Sequence, residues 1–198
     1  MKPGKTHGKP PCLFKVDISY SKYESFVRYY KKADTKEMLY LYFDTDLRLE
    51  EARLFRSNVR LRARIRGDRY SLELKHKTEK ENLSQNYYQP ISLFELNFML
   101  QGSVPNGEIR KKLLDLSLLD KVLLVGTAHT TRAKKSFQQG ILVLDKTISA
   151  NEAHFQIEFR SEQPVSDEKL VAIKKELDIP GSGLFQGKLK RIWAMSEN

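Results

Sequence analysis

The chain has 198 residues, which is the length of one ordinary domain and enough to bury a hydrophobic core. Its 35 Lys and Arg against 25 Asp and Glu give a net charge of +10, which favours anionic partners: polyphosphates, nucleotides, nucleic acid or an acidic membrane surface. The single cysteine, Cys12, excludes a disulfide framework and a cysteine-based metal site. No apolar run is long enough to span a bilayer and no signal peptide is recognisable, so a cytoplasmic protein without membrane association is predicted.

The N-terminal segment differs in composition from the rest of the chain. Residues 1–11 are rich in proline, glycine and lysine without any period, which predicts a disordered basic tail. No internal repeat and no linker divides the remainder, so residues 12–198 are predicted to form a single domain.

The first predicted strand runs from Cys12 to Ser21, where apolar and polar residues alternate. Its polar face carries Lys15, Asp17 and Ser19. Ser21 is then expected to cap a helix that ends near Lys32. A second strand is predicted over Met38–Thr45, followed by a short helical or irregular link over Asp46–Phe55.

The most informative stretch is Asn58–Lys77, which alternates strictly between apolar and charged residues and turns once, at Gly67-Asp68. This pattern predicts a β-hairpin in which Gly67 adopts a positive φ. Pairing Arg66 with Arg69 makes one face wholly apolar and the other nearly all charged. On the charged face, the opposed pairs are Arg64 with Ser71, Arg62 with Glu73, and Arg60 with Lys75.

The charged face of the hairpin has two interpretations. Same-face neighbours along a strand lie about 6.6 Å apart, and like charges at that distance repel by about 2.5 kcal/mol at an effective dielectric near 20. The face is therefore either solvated, with Arg62 and Glu73 paired, or it holds an anion. Four arginines at alternate positions favour the anion, because the planar guanidinium fork fits phosphate oxygens.

The remaining elements follow from apolar spacing and turn residues. We predict a loop over Thr78–Gln89, helices over Ile91–Leu100 and Glu108–Leu119, strands over Val122–Phe137, Ile141–Thr147 and His154–Arg160, a helix capped by Ser166 that runs to Leu177, a break at 180–183, and a final helix over Leu184–Met195.

Strands with one apolar and one polar face, interleaved with amphipathic helices, predict an α+β fold. A closed antiparallel β-barrel with helices packed outside and a polar, basic lumen satisfies both kinds of face and removes the sheet edges. The residues expected to face the lumen are Lys15, Asp17, Arg60, Arg62, Arg64, Arg66, Glu73, Lys75, Lys77, Thr130, Arg132, Lys134, Asp145, Gln156 and Glu158. Cations with a minority of carboxylates suit a polyanion carried with a divalent metal. Without a barrel, each carboxylate is better interpreted as half of a surface ion pair.

Several short motifs then occur in a characteristic order. They are Tyr42-Phe43-Asp44-Thr45, Leu61-Arg62-Ala63-Arg64, Leu72-Glu73-Leu74-Lys75, Thr131-Arg132, Leu144-Asp145, Gln156-Ile157-Glu158 and Lys188-Leu189-Lys190-Arg191. In this order and spacing the chain resembles the CYTH superfamily, the triphosphate tunnel metalloenzymes, over residues 12–195. It is most similar to the small bacterial proteins that consist of one CYTH domain, which are related to thiamine triphosphatase and class IV adenylate cyclase.

The resemblance implies an eight-stranded antiparallel tunnel and metal-dependent hydrolysis of inorganic triphosphate, thiamine triphosphate or nucleotides, or adenylate cyclisation. By motif position, the phosphate-binding residues would be Arg62, Arg64, Lys75, Arg132 and Lys188, with Lys134 on the same strand face as Arg132. Glu158 and Asp17 would be catalytic and would hold Mg²⁺ or Mn²⁺, with Asp145 as a further metal ligand.

The chain departs from the family pattern in the metal half of the site. Where the family typically has E-x-E-x-K, this chain has Lys15-Val16-Asp17-Ile18-Ser19, and Gln156 replaces a glutamate in the late strand. Two hypotheses follow: a triphosphate hydrolase, which is favoured, or a non-catalytic binding module for polyphosphate or a phosphorylated ligand. The substrate would be a small molecule and the chain a monomer or homodimer.

Nucleic acid is a third and disfavoured partner. Most aromatic residues are expected on apolar faces rather than among the basic residues, where a nucleic-acid binder needs stacking platforms; Tyr87 and Tyr88 are the expected exceptions.

Overall fold

A computed structural model describes residues 12–30, 33–46, 53–77, 84–149 and 152–179. The strands are β1 Cys12–Ile18, β2 Asp34–Asp44, β3 Val59–Arg66, β4 Arg69–Lys77, β5 Ser84–Ile91, β6 Leu123–Phe137, β7 Gly140–Ser149 and β8 Glu152–Arg160. The helices are α1 Tyr20–Tyr29, α2 Arg53–Arg56, α3 Leu93–Leu100, α4 Glu108–Asp115 and α5 Asp167–Glu176. The predicted basic tail, the break at 180–183 and the final helix lie outside the described residues.

The eight strands form one sheet in the order β1-β8-β7-β6-β2-β3-β4-β5. The strand pairs with a defined register, β1–β8, β2–β3, β3–β4 and β4–β5, are all antiparallel. The predicted α+β fold with an eight-stranded antiparallel sheet is thus confirmed, while closure of that sheet into a barrel stays a prediction. Of the helices in the described ranges, none is both long and apolar enough to cross a membrane.

The hairpin of β3 and β4 has the predicted register. Arg66 lies opposite Arg69, Arg62 opposite Glu73 and Arg60 opposite Lys75. Gly67 has a φ of +57°, which confirms the positive value expected at the turn. The apolar face of this hairpin is almost completely buried, and this burial fixes the register, because a slip by one residue would turn every arginine into the core.

The chain divides into two compact units. Unit 1 comprises Met1–Thr35, Arg132–Lys146 and His154–Phe185, and unit 2 comprises Lys36–Thr131, Thr147–Ala153 and Gln186–Asn198. The core of unit 2 packs the apolar face of the hairpin against α3 and α4, through buried residues that include Leu61, Leu72, Leu74, Met99, Ile109 and Leu113. The core of unit 1 packs β1, β7 and β8 against α1 and α5, through residues that include Phe14, Phe26, Leu144, Ile157, Phe159 and Ile173.

A strand replaces most of one predicted loop. The loop prediction over Thr78–Gln89 is wrong from residue 84 onward, because β5 pairs with β4 along its whole length. The polar residues of this segment gave no strand pattern in the sequence. One of them bonds to another element: the side chain of Gln89 accepts from the Ile109 amide in the first turn of α4 at 3.3 Å. Residues 78–83 lie outside the described ranges.

Several helix boundaries also differ from the prediction. Ser19, rather than Ser21, caps α1: its hydroxyl accepts from the Lys22 amide at 3.2 Å. The predicted placement of Ser19 on the polar face of the first strand is therefore wrong, since the strand ends at Ile18. Ser92 caps α3 in the same way, and Ser166 caps α5 as predicted.

Candidate functional site

The charged face of the hairpin in unit 2 is organised around Glu73. Arg62 donates through Nε and Nη2 to Oε2 of Glu73 at 2.8 and 2.5 Å. Arg64 Nη1 lies 2.8 Å from the other carboxylate oxygen. One carboxylate therefore neutralises part of the charge on two arginines and fixes both guanidinium groups, so the Arg62–Glu73 pairing expected for a solvated face is present and includes Arg64 as well.

Aromatic rings lie beside these arginines. The Arg62 guanidinium carbon lies 4.3 Å from the centre of the Tyr40 ring, and that of Arg64 lies 5.5 Å from the centre of the Tyr88 ring. Tyr88 lies beside Arg64, as expected, whereas Tyr87 packs against the core of unit 2. Tyr40 and Tyr42, which were not expected beside arginines, lie opposite Arg64 and Arg62 in the β2–β3 ladder and also pack in a hydrophobic cluster with Met38 and Ala128.

Two buried polar atoms near these arginines, one on β2 and one on β3, lack hydrogen-bond partners among the described residues. They are Nε of Arg60 and the hydroxyl of Tyr42, whose side chain is completely buried. Burial lowers the pKa of Arg60 below its ordinary value. Arg60 lies opposite Lys75, and Lys75 lies opposite Asn86 on β5, so this part of the face is rich in hydrogen-bond donors.

Asp44 of the Tyr42-Phe43-Asp44-Thr45 motif has a structural role. Its carboxylate accepts from the amides of Thr45, Leu54 and Phe55 at 2.7, 3.0 and 2.9 Å. Leu54 and Phe55 belong to α2, so Asp44 anchors this short helix to the end of β2. The motif therefore fixes the chain that leads into the hairpin.

A second charged cluster lies in unit 1, on β1, β6, β7 and β8. Arg132 donates through Nε and Nη2 to the two carboxylate oxygens of Asp145 at 2.7 and 2.6 Å. Arg160 Nη2 donates to Oε1 of Glu158. Lys15 lies directly opposite Glu158 in the β1–β8 ladder. Three cations and two buried carboxylates thus form one network.

The pKa values of this cluster follow from burial and from its charges. Burial lowers the pKa of the Lys15 ammonium, although Glu158 and Asp145 oppose this shift. Burial by itself would raise the pKa of Glu158, but Lys15, Arg160 and Arg132 hold it below its ordinary value. Glu158 is therefore ionised and weakly basic at neutral pH, which suits holding cations better than accepting a proton.

Asp17 and Gln156 form a pair beside this network. They lie opposite each other in the β1–β8 ladder, and the Gln156 amide donates to Oδ1 of Asp17 at 2.7 Å. The carbonyl oxygen of Gln156 is buried without a hydrogen-bond partner among the described residues. The glutamine thus occupies one acceptor position of the carboxylate that was expected to hold a metal.

The arrangement of these carboxylates does not fit a divalent metal. Each of the three expected ligands is engaged by the protein itself: Asp145 by Arg132, Glu158 by Arg160, and Asp17 by Gln156. Within the described ranges no group of three His, Cys, Asp or Glu side chains is suited to a metal ion. A cation would have to displace arginines, so the assignment of these ligands to Mg²⁺ or Mn²⁺ stays a prediction.

The predicted site residues are distributed over both units. Arg62, Arg64 and Lys75 lie in unit 2, whereas Asp17, Arg132, Lys134, Asp145 and Glu158 lie in unit 1. Lys188 lies outside the described residues. The sequence prediction did not select Arg160, which pairs with Glu158, or the combination of Arg60 with Tyr42. The register across β2 and β3 is the signal that could have found the latter, because it places Tyr42 opposite Arg62, which lies on the same face as Arg60 and two residues from it.

Comparisons with known proteins agree on one family. The family model described as CYTH domain matches residues 15–182. A protein of Bacillus subtilis (strain 168) named "Putative triphosphatase YjbK" is 31% identical over 121 residues, which cover 61% of this chain and 60% of that protein. The match thus spans less than two thirds of this relative's length.

Solved structures with the same fold cover nearly the whole chain. A crystal structure of a "putative adenylate cyclase" from Bacillus halodurans has a TM-score of 0.76 at 25% identity and covers 93% of this chain and 98% of its own. A Hippeastrum protein, HpAC1, described as a putative adenylyl cyclase with a dominant triphosphatase activity, has a TM-score of 0.72 at 19% identity and covers 91% of this chain and 95% of its own. At 19% identity the second likeness shows the fold alone.

Proposed function

Because the chain belongs to the CYTH domain family, we propose that it binds the triphosphate group of a small molecule and hydrolyses one of its phosphoanhydride bonds. The triphosphatase name of the Bacillus subtilis relative supports this choice over adenylate cyclisation. The substrate would be inorganic triphosphate, thiamine triphosphate or a nucleotide, and Mg²⁺ or Mn²⁺ would be the metal if one is required.

The observation that carries this proposal is the confirmed register of the β3–β4 hairpin. It places Arg62 and Arg64 on one face with their guanidinium groups held by Glu73. Each guanidinium has several N–H donors, and Glu73 uses only some of them. The others can bind phosphate oxygens, and arginines that are already oriented lose little conformational freedom when they do so.

Phosphoryl transfer mainly requires positive charges held in fixed positions around the phosphate groups. In phosphoryl transfer a water oxygen attacks the terminal phosphorus, the bond to the bridging oxygen breaks, and negative charge on the phosphoryl and leaving oxygens is stabilised by cations. In unit 2, Arg62, Arg64 and Lys75 would bind phosphate. In unit 1, Arg132 would do so, supported by Lys134, with Lys188 as a further candidate from its motif.

The roles of the carboxylates follow from their contacts. Glu158 and Asp17 are the catalytic candidates by motif position, and Glu158 is kept ionised by Lys15, Arg160 and Arg132. We assign Glu158 to the orientation of these cations, because its lowered pKa makes it a poor general base. Asp17, which accepts from the Gln156 side-chain amide at 2.7 Å, is assigned by its motif position to orienting the attacking water.

A second candidate function is metal-free binding of a phosphate chain without hydrolysis. The specific observation in its favour is the engagement of Asp145 and Glu158 by Arg132 and Arg160, which leaves the cluster with cations where a metal would be needed. In this case the protein would bind tripolyphosphate tightly, release no phosphate and show no response to Mn²⁺.

The two candidates are separated by measuring binding and phosphate release together. Purified protein would be titrated calorimetrically with tripolyphosphate, thiamine triphosphate and ATP, and phosphate release followed with Mg²⁺, with Mn²⁺ or with EDTA. Binding with release supports the hydrolase, binding without release supports the binding module, and the absence of both overturns the proposal.

The variant Arg64→Ala tests the hairpin within the same assays. We expect it to weaken tripolyphosphate binding by about tenfold or more, because a charge-assisted contact is lost. Its free energy of unfolding should change by only about 0–1 kcal/mol, because Arg62 still pairs with Glu73 at this partly exposed site.

Arg69→Ala is the matched control, because Arg69 is an exposed arginine at the turn of the same hairpin. This variant also loses one positive charge, but at a position that does not contact Glu73. It should bind tripolyphosphate as the wild type does. Unfolding of Arg64→Ala together with normal ligand affinity would show that Arg64 is purely structural.

A further inference from the structure

The donors at Arg60 and Tyr42 are in an unusual state for a folded protein. Buried N–H and O–H groups are nearly always hydrogen-bonded, and exceptions commonly mark a ligand position or an ordered water. Here two such donors, Arg60 Nε and the Tyr42 hydroxyl, are both buried and have no partner among the residues described. Tyr42 lies opposite Arg62 in the β2–β3 ladder and interacts electrostatically with Arg60, so the two donors lie close together on one face of the sheet.

The surroundings of these donors are positively charged. Arg60 faces Lys75 across the hairpin, and the next residue in the same row is Asn86, whose amide can donate as well. Burial lowers the pKa of Arg60, because its positive charge is poorly solvated there. A positive charge in such a place is stabilised by an anion.

Two carboxylates near these donors, Glu73 and Asp44, bind other groups. Glu73 is bound by Arg62 and Arg64, and it lies two residues along β4 from Lys75. Asp44, two residues beyond Tyr42 on β2, accepts from the amides of Leu54 and Phe55. Among the salt bridges within the described parts of the chain, none involves Arg60, in contrast to Arg62 and Arg64.

We propose that Arg60, the Tyr42 hydroxyl and Lys75 form a second phosphate subsite, distinct from the Arg62–Arg64 pair. The two positions are one same-face step apart on β3, about 6.6 Å, so one linear phosphate chain can contact both. This inference rests on the proposed function in that the ligand is a phosphate chain. It identifies Arg60 and Tyr42 as the residues whose contribution depends on the length of the phosphate chain.

The test compares Arg60→Gln and Tyr42→Phe with the wild type, using diphosphate, tripolyphosphate and tetrapolyphosphate in calorimetric titrations. Each substitution should weaken tripolyphosphate and tetrapolyphosphate binding by about tenfold or more, because one hydrogen bond to a charged oxygen is lost. Diphosphate, which the Arg62–Arg64 pair can hold alone, should be affected less. Equal losses for all three ligands would overturn the separate subsite.

Stability provides a readout that separates a ligand role from a structural one. Tyr42→Phe removes a hydroxyl that has no partner, so the melting temperature of the unliganded protein should stay unchanged or rise. The matched control is Tyr87→Phe, which removes a hydroxyl that donates to Gln85 Oε1 at 3.0 Å on β5 of the same unit. That variant should lose some stability but no affinity. A lower melting temperature for Tyr42→Phe with wild-type affinity would overturn the proposal.

Two further results separate this subsite from the proposed function. Should Arg60→Gln fail to fold, Arg60→Lys, which keeps the charge but lacks the buried Nε, should still show the loss for the longer chains. If Arg64→Ala loses tripolyphosphate binding while Arg60→Lys and Tyr42→Phe do not, the subsite is wrong and the proposed function stands. If the length-dependent losses occur in a protein that releases no phosphate, the subsite stands and the proposed hydrolysis is wrong.

Discussion

Lys15 is the residue that most directly opposes a metal in unit 1. It faces Glu158 across the β1–β8 ladder, within a network that already contains Arg132 and Arg160. Like charges about 5 Å apart repel by about 3 kcal/mol at an effective dielectric near 20, and a divalent ion doubles this value. Such a repulsion lowers metal affinity by several orders of magnitude.

The variant Lys15→Glu should therefore strengthen Mn²⁺ binding. It replaces the opposing charge with a third carboxylate beside Asp145 and Glu158. Calorimetric titration of Mn²⁺ into both proteins, without substrate, checks the expectation directly. Lys175→Glu, an exposed charge reversal on α5 in the same unit, is the control and should bind Mn²⁺ no better than the wild type. Tight Mn²⁺ binding by the wild type, unchanged in Lys15→Glu, would show that Lys15 does not face the metal position.

At the scale of elements, α2 depends on one carboxylate. This helix has only four residues, too few to be stable by itself, and Asp44 accepts from two of its amides. The side chain of Leu54 is completely buried in the core of unit 2, so the anchor also positions a core residue.

We expect Asp44→Ala to lower the free energy of unfolding by about 1–2 kcal/mol, the range for loss of a helix N-cap. For a domain of this size that corresponds to a fall of about 2–8 °C in melting temperature, measurable by calorimetry. Asp115→Ala, at the exposed end of α4, is the control and should be neutral. A variant that keeps its melting temperature but loses phosphate release would place Asp44 in the reaction instead of in the anchoring of α2.

The elements that could be predicted are those whose pattern is strict. The hairpin of β3 and β4 alternates without exception, so its register and faces followed from the sequence alone. β5 could not be predicted, because its residues are mostly polar and its strand conformation depends on pairing with β4. The end of β1 was misplaced because Ser19 and Ser21 are equally good caps in sequence, and only the structure shows which hydroxyl meets an amide.

The candidate site was predictable in its residue types and in one of its pairings, Arg62 with Glu73, which followed from the hairpin register. The contact of Gln156 with Asp17 joins strands at opposite ends of the sequence, and the contact of Arg132 with Asp145 depends on side-chain positions across two neighbouring strands. The donors without partners at Arg60 and Tyr42 are a property of burial, which no local pattern reveals.

At the scale of the whole molecule, the net charge of +10 is the property that suggests nucleic acid as an alternative partner. Much of the positive charge in the two clusters is nevertheless engaged by carboxylates, as in Arg132 with Asp145 and Arg62 with Glu73. A continuous basic stripe that follows a nucleic-acid backbone would instead leave its cations available for many phosphates.

The final prediction is that affinity will not increase with the length of an oligonucleotide. A nucleic-acid binder that neutralises Z phosphates loses affinity with salt at a slope of about −0.7Z for single strands, and longer strands bind more tightly. A site of a few defined cations, such as Arg60, Arg62, Arg64 and Lys75, is saturated by a short phosphate chain. Tripolyphosphate should therefore displace fluorescent oligonucleotides of 5, 15 and 30 nucleotides, about equally well for each length, and the salt slope should not grow with length. Tight binding of the longest oligonucleotide that tripolyphosphate cannot displace, with a salt slope that steepens with length, would instead identify a nucleic-acid binder.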